Sequence, residues 1–297
     1  MEAGTITARR ATRSPLAAAW GWLRRNALMI FAGLAVLYML VPILVIVLFS
    51  FDAGNPQGEL DFTFSGFTLE NWSDAFAVEA VNDSMITSLE LATLSTIAST
   101  AIGTLMAMAL VRYQFFGRRA TNLLIVLPMA TPEIVIGASL LSMFLIYSVP
   151  LGFTSLLIAH VMFSISFVVI VVRSRLIGFD RSIEEAAADL GAKPLTTFRL
   201  VTLPLLAPGI VAAALLAFAL SIDDFVISNF NSGTTVTFPL YIFGAQLRGI
   251  PVQVNVLATM LFAVTVIAIM LVLWQQRRAE RLASVRPEQE VAPLQQV

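Results

Sequence analysis

Two adjacent carboxylates at the end of a long apolar stretch, Asp223 and Asp224, are the residues whose types and position point most directly to chemistry. A charged side chain near the centre of a bilayer costs roughly 2.5–3.5 kcal/mol on insertion scales, so acids in such stretches usually have a function. Carboxylates beside aromatic rings and amides can bind a cation weakly enough to release it again. We therefore predict a cation pathway with the candidate residues Asp223, Asp224, Glu133, Phe225 and Asn229.

Helix geometry separates the roles of the two neighbouring acids. Consecutive helix positions diverge by about 100°, so Asp223 and Asp224 cannot both face one point. We expect one acid to line the pathway and the other to contact a neighbouring helix or a helix end. Alternatively, both acids mark the point at which the helix reaches water, and Glu133 is a carboxylic acid held neutral by burial.

The only histidine, His160, suggests a different class of protein. Ser164 follows it by one helical turn, and such a pair could form the dyad of an intramembrane serine hydrolase. The sequence has no G-x-S-x-G motif, however, and polar residues on one helix face more often make hydrogen bonds between packed helices. Helix packing is the preferred interpretation of His160.

The composition identifies the elements that must carry these residues. Of the 297 residues, 58% are hydrophobic and 12% are charged, and the mean hydropathy is +0.86. A soluble domain carries charge on about a quarter of its residues, so the chain is predicted to be an all-α, polytopic membrane protein. A net charge of −1 gives no general attraction to nucleic acid, and the absence of cysteine excludes disulfides and thiolate metal sites.

Six apolar stretches are long enough to cross a membrane, which takes about 20 residues of helix. The predicted spans are 28–50, 84–110, 121–147, 154–173, 206–229 and 254–274. They give a membrane domain at 28–275, with its core at 80–275, between an N-terminal tail, 1–27, and a C-terminal tail, 276–297. With the N-terminus in the cytoplasm, the inner segments hold all of the 18 Lys and Arg residues except Arg248. Both termini are therefore predicted to be cytoplasmic.

The cytoplasmic loop between the fourth and fifth spans, residues 180–209, is here called the connector loop and is patterned as two short helices. Ser182 and Glu185 have the spacing of a capping box, which places the first helix start at residue 183. Gly191 ends this helix, Pro194 suits the first turn of a second helix, and Pro204 and Pro208 bound its exit into the fifth span. A helix pair of this kind suits docking into a groove of another protein.

The connector loop resembles the EAA loop of the membrane permeases of ABC importers. The family motif is E-A-A-x3-G-x9-I-x-L-P, and this chain has Val201 in place of the isoleucine. The matching residues are Glu185, Ala186, Ala187, Gly191, Leu203 and Pro204. Because the loop of that family forms a helix that fits a cleft in the ATPase subunit, the resemblance implies that these residues couple the chain to an ATPase.

The same resemblance implies a bacterial inner membrane as the location, and a set of partners. The partners are a second homologous permease, two ATP-binding subunits, an extracytoplasmic solute-binding protein and the lipid bilayer. The single lysine, Lys193, lies outside any G-x-x-x-x-G-K-[ST] pattern, so ATP and Mg must be bound by the partner ATPase. No enzymatic activity, cofactor, metal or nucleic-acid partner is expected for this chain itself.

A finer resemblance concerns residues 220–259, which look like the corresponding region of spermidine/putrescine permeases. L-S-x-D-D and N-x-L-A-T occur in the same order in both. This chain departs from the pattern at Asn231 and in the segment "FGAQLRG" at 243–249, so the solute is less well defined than the transport machinery. Two alternatives stay open: an ABC permease for another small solute, and an ion-coupled secondary transporter with the acids as proton carriers.

Overall fold

The computed structural model describes residues 15–54 and 63–284 of the chain. Within these ranges the chain is helical, and an isolated antiparallel bridge pairs Asp52 with Phe67. The predicted all-α class is confirmed for this part of the chain. The helices are α1 (Pro15–Phe49), α2 (Glu70–Ser73), α3 (Glu79–Arg112), α4 (Arg118–Ala130), α5 (Glu133–Ile146), α6 (Phe153–Ile177), α7 (Ser182–Asp189), α8 (Pro194–Thr197), α9 (Leu203–Ile222), α10 (Val226–Asn231), α11 (Phe238–Ala245) and α12 (Gln253–Ser284).

The apolar helices account for the predicted spans with several changes of boundary. Among the described residues, 5 helices are long and apolar enough to cross a membrane, and the bent pair α4 and α5 makes up to 6. α1 begins at Pro15, inside the predicted tail 1–27, and α12 continues to Ser284, inside the predicted tail 276–297. The rest of the two predicted tails, 1–14 and 285–297, lies outside the described residues.

The third predicted span, 121–147, is not one helix. α4 ends at Ala130, α5 begins at Glu133, and the two helices are bent by 113°. Pro132 explains the break, because a residue before proline is disfavoured in the helical conformation, and Thr131 is extended with φ −89° and ψ 134°. Glu133 therefore stands at the N-terminus of a helix, in the middle of the bent pair.

The fifth predicted span, 206–229, is also interrupted. α9 ends at Ile222, and residues 223–225 separate it from the short helix α10. At its other end α9 is continuous with α8 through a π-helical turn at Phe198–Thr202. The ring of Pro204 would clash with the carbonyl four residues earlier, and the wider π turn relieves this clash. Pro204 therefore lies in the first turn of α9, as predicted, but Pro208 lies inside that helix, and the second connector-loop helix runs directly into the span.

The described helices form two compact units, of which the first contains α1, α2 and α12. In this unit α1 packs against α12. Phe51 stacks on both Phe67 and Trp72 with ring centroids 5.3 Å apart. Asp52 Oδ1 accepts a hydrogen bond from the Ser65 N–H (2.7 Å). These contacts fix residues 51 and 52, which follow α1, against residues 65–72.

The second unit, residues 76–251, is built around α3, α6 and α9. The buried face of α3 includes a row of small residues at helical spacing: Ser84, Ser88, Ala92, Ser95, Ser99, Gly103 and Ala107. Small residues allow membrane helices to approach closely. A Cβ at Gly103 would lie 2.6 Å from Val168 Cγ1 of α6, so a larger residue there would push the two helices apart.

The two helices that follow the breaks, α5 and α10, pack against each other in the second unit. A Cβ at Gly137 of α5 would lie 2.8 Å from Phe230 Cδ2 of α10. The Asn231 side-chain amide donates a hydrogen bond to the Gly137 carbonyl (3.2 Å). This close contact fixes the position of α10 and of the residues just before it.

Candidate coupling loop and substrate pathway

The first connector-loop helix, α7, begins where the sequence predicts but without the predicted capping box. No side-chain cap forms at its start, and Asp180 Oδ1 instead accepts a hydrogen bond from the Ser182 N–H (2.9 Å). This hydrogen bond lowers the pKa of the Asp180 carboxyl group below its ordinary value. The predicted Ser182–Glu185 capping box is therefore wrong, because the Ser182 N–H donates to Asp180, two residues earlier, and not to Glu185.

The C-terminus of α7 is closed by Gly191, as the sequence predicts. Gly191 has φ +83°, and its N–H donates to the Ala188 carbonyl (2.8 Å). The N–H of Ala192 donates to the Ala187 carbonyl (3.0 Å). Together these bonds form a Schellman motif, in which glycine takes the left-handed conformation without steric cost. Pro194 then starts α8, also as predicted.

The outer side of α7 presents the motif residues to the surroundings. Glu185 and Ala186 are exposed, and Ala187 is half-buried. Leu190 and Leu195, which flank the turn, expose 90% and 76% of their surface. Exposed leucines beside small residues are typical of a surface that another protein covers.

The inner side of α7 is tied to the helix bundle by Glu184, the residue before the motif. Glu184 Oε1 accepts a hydrogen bond from Arg112 Nη2 at the end of α3 (2.5 Å), and a second one from the Thr202 hydroxyl. Thr202 is buried in the π turn, directly before the motif residues Leu203 and Pro204. One carboxylate therefore joins α7 to the ends of both α3 and α9.

Asp224 caps the helix that follows the break after α9. Its carboxylate accepts hydrogen bonds from the N–H groups of Ile227 (3.3 Å) and Ser228 (2.8 Å), and from the Ser228 hydroxyl (2.9 Å). Only 5% of the Asp224 side chain is exposed. A carboxylate in this position satisfies free N–H groups at the start of α10. Asp224 is therefore the acid that contacts a helix end.

Asp223 points to the surroundings and is exposed at the end of α9. The predicted divergence of the two acids is thus confirmed. Asn229 is exposed as well, and the half-buried Phe225 contacts Phe243 of α11 with ring centroids 4.7 Å apart. Glu133 is exposed on the surface of this single chain, and its helix α5 packs on α10, while its two alternative roles stay a prediction. That these residues line a pathway stays a prediction.

His160 contacts the residues around the break and not Ser164. Its Nδ1 lies 2.7 Å from Ser221 Oγ, and its Nε2 lies 3.0 Å from Ser228 Oγ and 3.4 Å from Asp224 Oδ2. His160, Ser221 and Ser228 are all buried. The His160–Ser164 dyad is therefore wrong, and the interpretation of His160 as a helix-packing residue is confirmed.

The directions of these hydrogen bonds follow from the Asp224 carboxylate. An ionised carboxylate only accepts, so the Ser228 hydroxyl donates to Asp224 and its lone pairs face His160. His160 Nε2 then lies beside two acceptors, and we assign a hydrogen to it. On the other side of the ring, the Ser95 hydroxyl of α3 donates to Ser221 (3.0 Å). This buried network joins α3, α6, α9 and α10 across the break.

The region that holds the connector loop and the break matches one protein family. The sequence profile described as "Binding-protein-dependent transport system inner membrane component" covers residues 99–282, more than half of the chain. The chain belongs to this family. As a member of the family of inner-membrane transport components, it is a multi-pass membrane protein that takes part in transport, and it is not an enzyme.

Relatives within this family extend the similarity over most of the chain. The chain is 37% identical over 248 residues to the spermidine/putrescine transport system permease protein PotC of Haemophilus influenzae, covering 83% of this chain and 94% of that protein. It is 33% identical over 252 residues to the putrescine transport system permease protein PotI of Escherichia coli, covering 82% and 88%. The resemblance to spermidine/putrescine permeases seen in residues 220–259 is confirmed.

Solved transporters share the fold of this inner-membrane component. A bacterial ABC transporter involved in the import of the acidic polysaccharide alginate superposes with a TM-score of 0.59 at 19% identity, covering 89% of this chain and 98% of that chain. An amino acid ABC transporter with histidines gives a TM-score of 0.53 at 17% identity, covering 70% and 96%. Identities this low show a common fold and leave the solute open.

Sequence reasoning missed the residues that hold these sites in place. Glu184 stands beside the motif glutamate, and only its helix position, about 100° from Glu185, could have suggested that it faces the bundle. In the sequence Arg112 looks like an ordinary basic residue at the end of a span. It pairs with Glu184 across 72 positions, and no local pattern predicts such a contact.

Proposed function

We propose that this chain is one permease subunit of an ATP-driven ABC importer for the polyamines spermidine or putrescine. The strongest support is the 37% identity to a spermidine/putrescine permease over 94% of that protein. The exposed Asp223 beside Phe225 adds a chemical reason, because the ammonium groups of a polyamine bind to carboxylates and aromatic faces. Such contacts are weak enough to let the solute leave again.

The proposed importer contains a second homologous permease, two ATP-binding subunits and an extracytoplasmic solute-binding protein. The exposed side of α7, with Glu185 and Ala186, is the surface that fits an ATP-binding subunit. Gly191 sets the angle between α7 and α8, so it shapes this surface. ATP and Mg²⁺ are bound by the ATP-binding subunits, and this chain supplies the pathway and the coupling.

The coupling mechanism uses the contacts on the inner side of α7. Closure of the ATP-binding subunits moves α7, and Glu184 passes the movement to α3 through Arg112 and to α9 through Thr202. Since α3, α6 and α9 are closely packed, they move as a body between two arrangements. α9 has 20 residues, or about 30 Å of helix, so it carries the movement from Thr202 to the break at Asp223.

We place the chain in a bacterial inner membrane with both termini in the cytoplasm. The concentration of basic residues in the inner segments supports this orientation. The connector loop then faces the cytoplasm, and the break at Asp223 lies toward the outer side, where the solute-binding protein delivers its cargo.

Uptake by the reconstituted transporter tests the proposal. Proteoliposomes with all membrane subunits, internal ATP and external binding protein should accumulate radiolabelled spermidine or putrescine, and omission of ATP or binding protein should abolish uptake. Uptake by this chain alone under a proton gradient would identify a secondary transporter. ATP-dependent uptake of another solute, with none of either polyamine, would identify a permease of different specificity.

A further inference from the structure

A basic cavity lies between the end of α3 and the start of α4. Its volume is about 500 Å³, and it is lined by Gln114, Phe115, Gly117, Arg118, Arg119 and Asn122. None of these lining residues is acidic. Within the described residues the ion pairs are those of Arg112 with Glu184 and of His160 with Asp224, so neither lining arginine is paired with a carboxylate. We call this feature the guanidinium cavity.

The polar groups of the guanidinium cavity point to a missing acceptor. Arg118 Nε is buried from water and has no hydrogen-bond partner among the described residues. Arg173 of α6 donates to the side-chain oxygen of the lining residue Asn122 (2.8 Å), so a third guanidinium group lies behind the wall. Asn122 in turn donates to the Arg118 carbonyl (3.0 Å), so its side chain joins the start of α4 to Arg173. An anion with several oxygen atoms would satisfy these donors.

The surface around the guanidinium cavity has the character of a membrane boundary. Phe116 at the tip of the loop is fully exposed, and Tyr113 exposes 66% of its surface. One turn into α4, Leu123 and Leu124 expose 68% and 64% of theirs. Aromatic and basic residues at the ends of apolar helices are typical of the lipid headgroup layer. The exposed leucines then meet the acyl chains.

We propose that the guanidinium cavity binds the phosphate of an anionic phospholipid headgroup. Guanidinium groups donate in a planar fork that matches phosphate oxygens, and each basic residue near an anionic membrane surface favours binding. The lipid phosphate is held by Arg118 and Arg119, while its acyl chains lie along the leucines of α4. This inference does not depend on the solute that the importer carries.

Native mass spectrometry of the detergent-solubilised full chain, titrated with phosphatidylglycerol, tests the proposal. The double variant R118Q/R119Q should bind phosphatidylglycerol at least about tenfold more weakly than wild type. The control variant R24Q/R25Q removes two exposed arginines from α1 and should bind like wild type. R118K/R119K keeps the charge and should bind with intermediate affinity. If the double glutamine variant does not fold, R119Q alone provides the same comparison at an exposed position.

Three outcomes overturn the proposal. Equal affinity for phosphatidylcholine means that the cavity does not select an anionic headgroup. Equal weakening in R24Q/R25Q means that general charge and not the cavity attracts the lipid. Displacement of phosphatidylglycerol by inorganic phosphate, with no effect of chloride at the same ionic strength, assigns the cavity to a soluble anion instead.

Discussion

Glu184 and Arg112, which are 72 positions apart, form an ion pair that joins the first connector-loop helix to the end of α3. Their side chains expose only 18% and 22% of their surface, so solvent screens this pair less than a surface pair. The Thr202 hydroxyl donates to the same carboxylate oxygen. A movement of α7 therefore cannot leave α3 and α9 in place unless these contacts break.

The first prediction concerns this link. E184Q and R112Q each remove one of the two charges that strengthen this hydrogen bond, and a bond to a charged group contributes about 1.5–3 kcal/mol. We expect basal ATP hydrolysis of the assembled importer to persist, while polyamine uptake per ATP hydrolysed falls about tenfold. The reversed pair R112E/E184R should regain part of the lost uptake, because the opposite charges face each other again and the Thr202 oxygen can accept from an arginine.

The neighbouring residue provides a matched control for the link. E185Q changes the outer side of α7 and leaves the ion pair intact, so its effect measures docking alone. If the reversed pair is no better than either single variant, Glu184 and Arg112 do not transmit the movement, although the docking surface can still be correct.

The second prediction compares Gly191, which follows α7, with Gly178, which follows α6. Gly191 has φ +83°, where alanine costs about 1–2 kcal/mol, and proline cannot adopt this angle at all. G191A should weaken substrate-stimulated ATP hydrolysis, and G191P should abolish it with the protein still inserted. Gly178 has φ −86°, and its added Cβ would meet only the Arg175 carbonyl at 3.9 Å, so G178A should behave as wild type. Full stimulation in G191P would exclude a coupling role for this turn.

The third prediction tests the orientation. The chain has no native cysteine, so single cysteines can be labelled without background. Cysteines at the exposed positions Ser65 and Leu247 should react with an impermeant maleimide in spheroplasts. Cysteines at Phe116 and Ala188, also exposed, should react only after permeabilisation. The opposite pattern at any of the four sites would overturn the proposed topology.

Local rules explain what the sequence could predict. Apolar length locates the spans because the thickness of the bilayer fixes it, and Gly191 and Pro194 end and start helices through their own backbone preferences. The divergence of Asp223 and Asp224 follows from the angle between neighbouring helix positions, although the helix also ends there.

Competition between alternative contacts, both local and between helices, explains what the sequence could not predict. The break at residues 223–225 needs Asp224 to cap α10 and His160 to support it from another helix. The π turn before Leu203 accommodates a proline that local rules would place at a helix start. Asp180 accepts the hydrogen bond from the Ser182 N–H that Glu185 would accept in a capping box. The sequence pattern is compatible with either acceptor. Each outcome depends on which of several possible partners is nearest in space.

The fourth prediction concerns the hydrogen on His160. Because this is the only histidine, selective ¹⁵N labelling of a chain with a histidine-free purification tag gives a single imidazole to observe. The nitrogen shifts should show a hydrogen on Nε2, directed at Ser228 and Asp224. S228A should change these shifts, whereas S164A, one turn away on the same helix, should not. A neutral ring with its hydrogen on Nδ1 would contradict the assigned network.

The last prediction separates the roles of the two adjacent acids, Asp223 and Asp224. Asp223 is exposed, so D223N should leave the thermal stability unchanged but lower polyamine uptake about fivefold, since one exposed carboxylate contributes on the order of 1 kcal/mol to cation binding. Asp224 accepts three hydrogen bonds at the start of α10, so D224A should destabilise the protein by about 1–3 kcal/mol, and D224N less, because asparagine also caps helices.

D83N, at an exposed acid of α3, serves as the control for loss of one negative charge. Uptake and basal ATP hydrolysis should be measured in the assembled importer, and the stability of each variant by thermal unfolding. If D223N transports polyamine as wild type does, Asp223 merely marks the end of α9, and the cation pathway loses the residue on which it depends most.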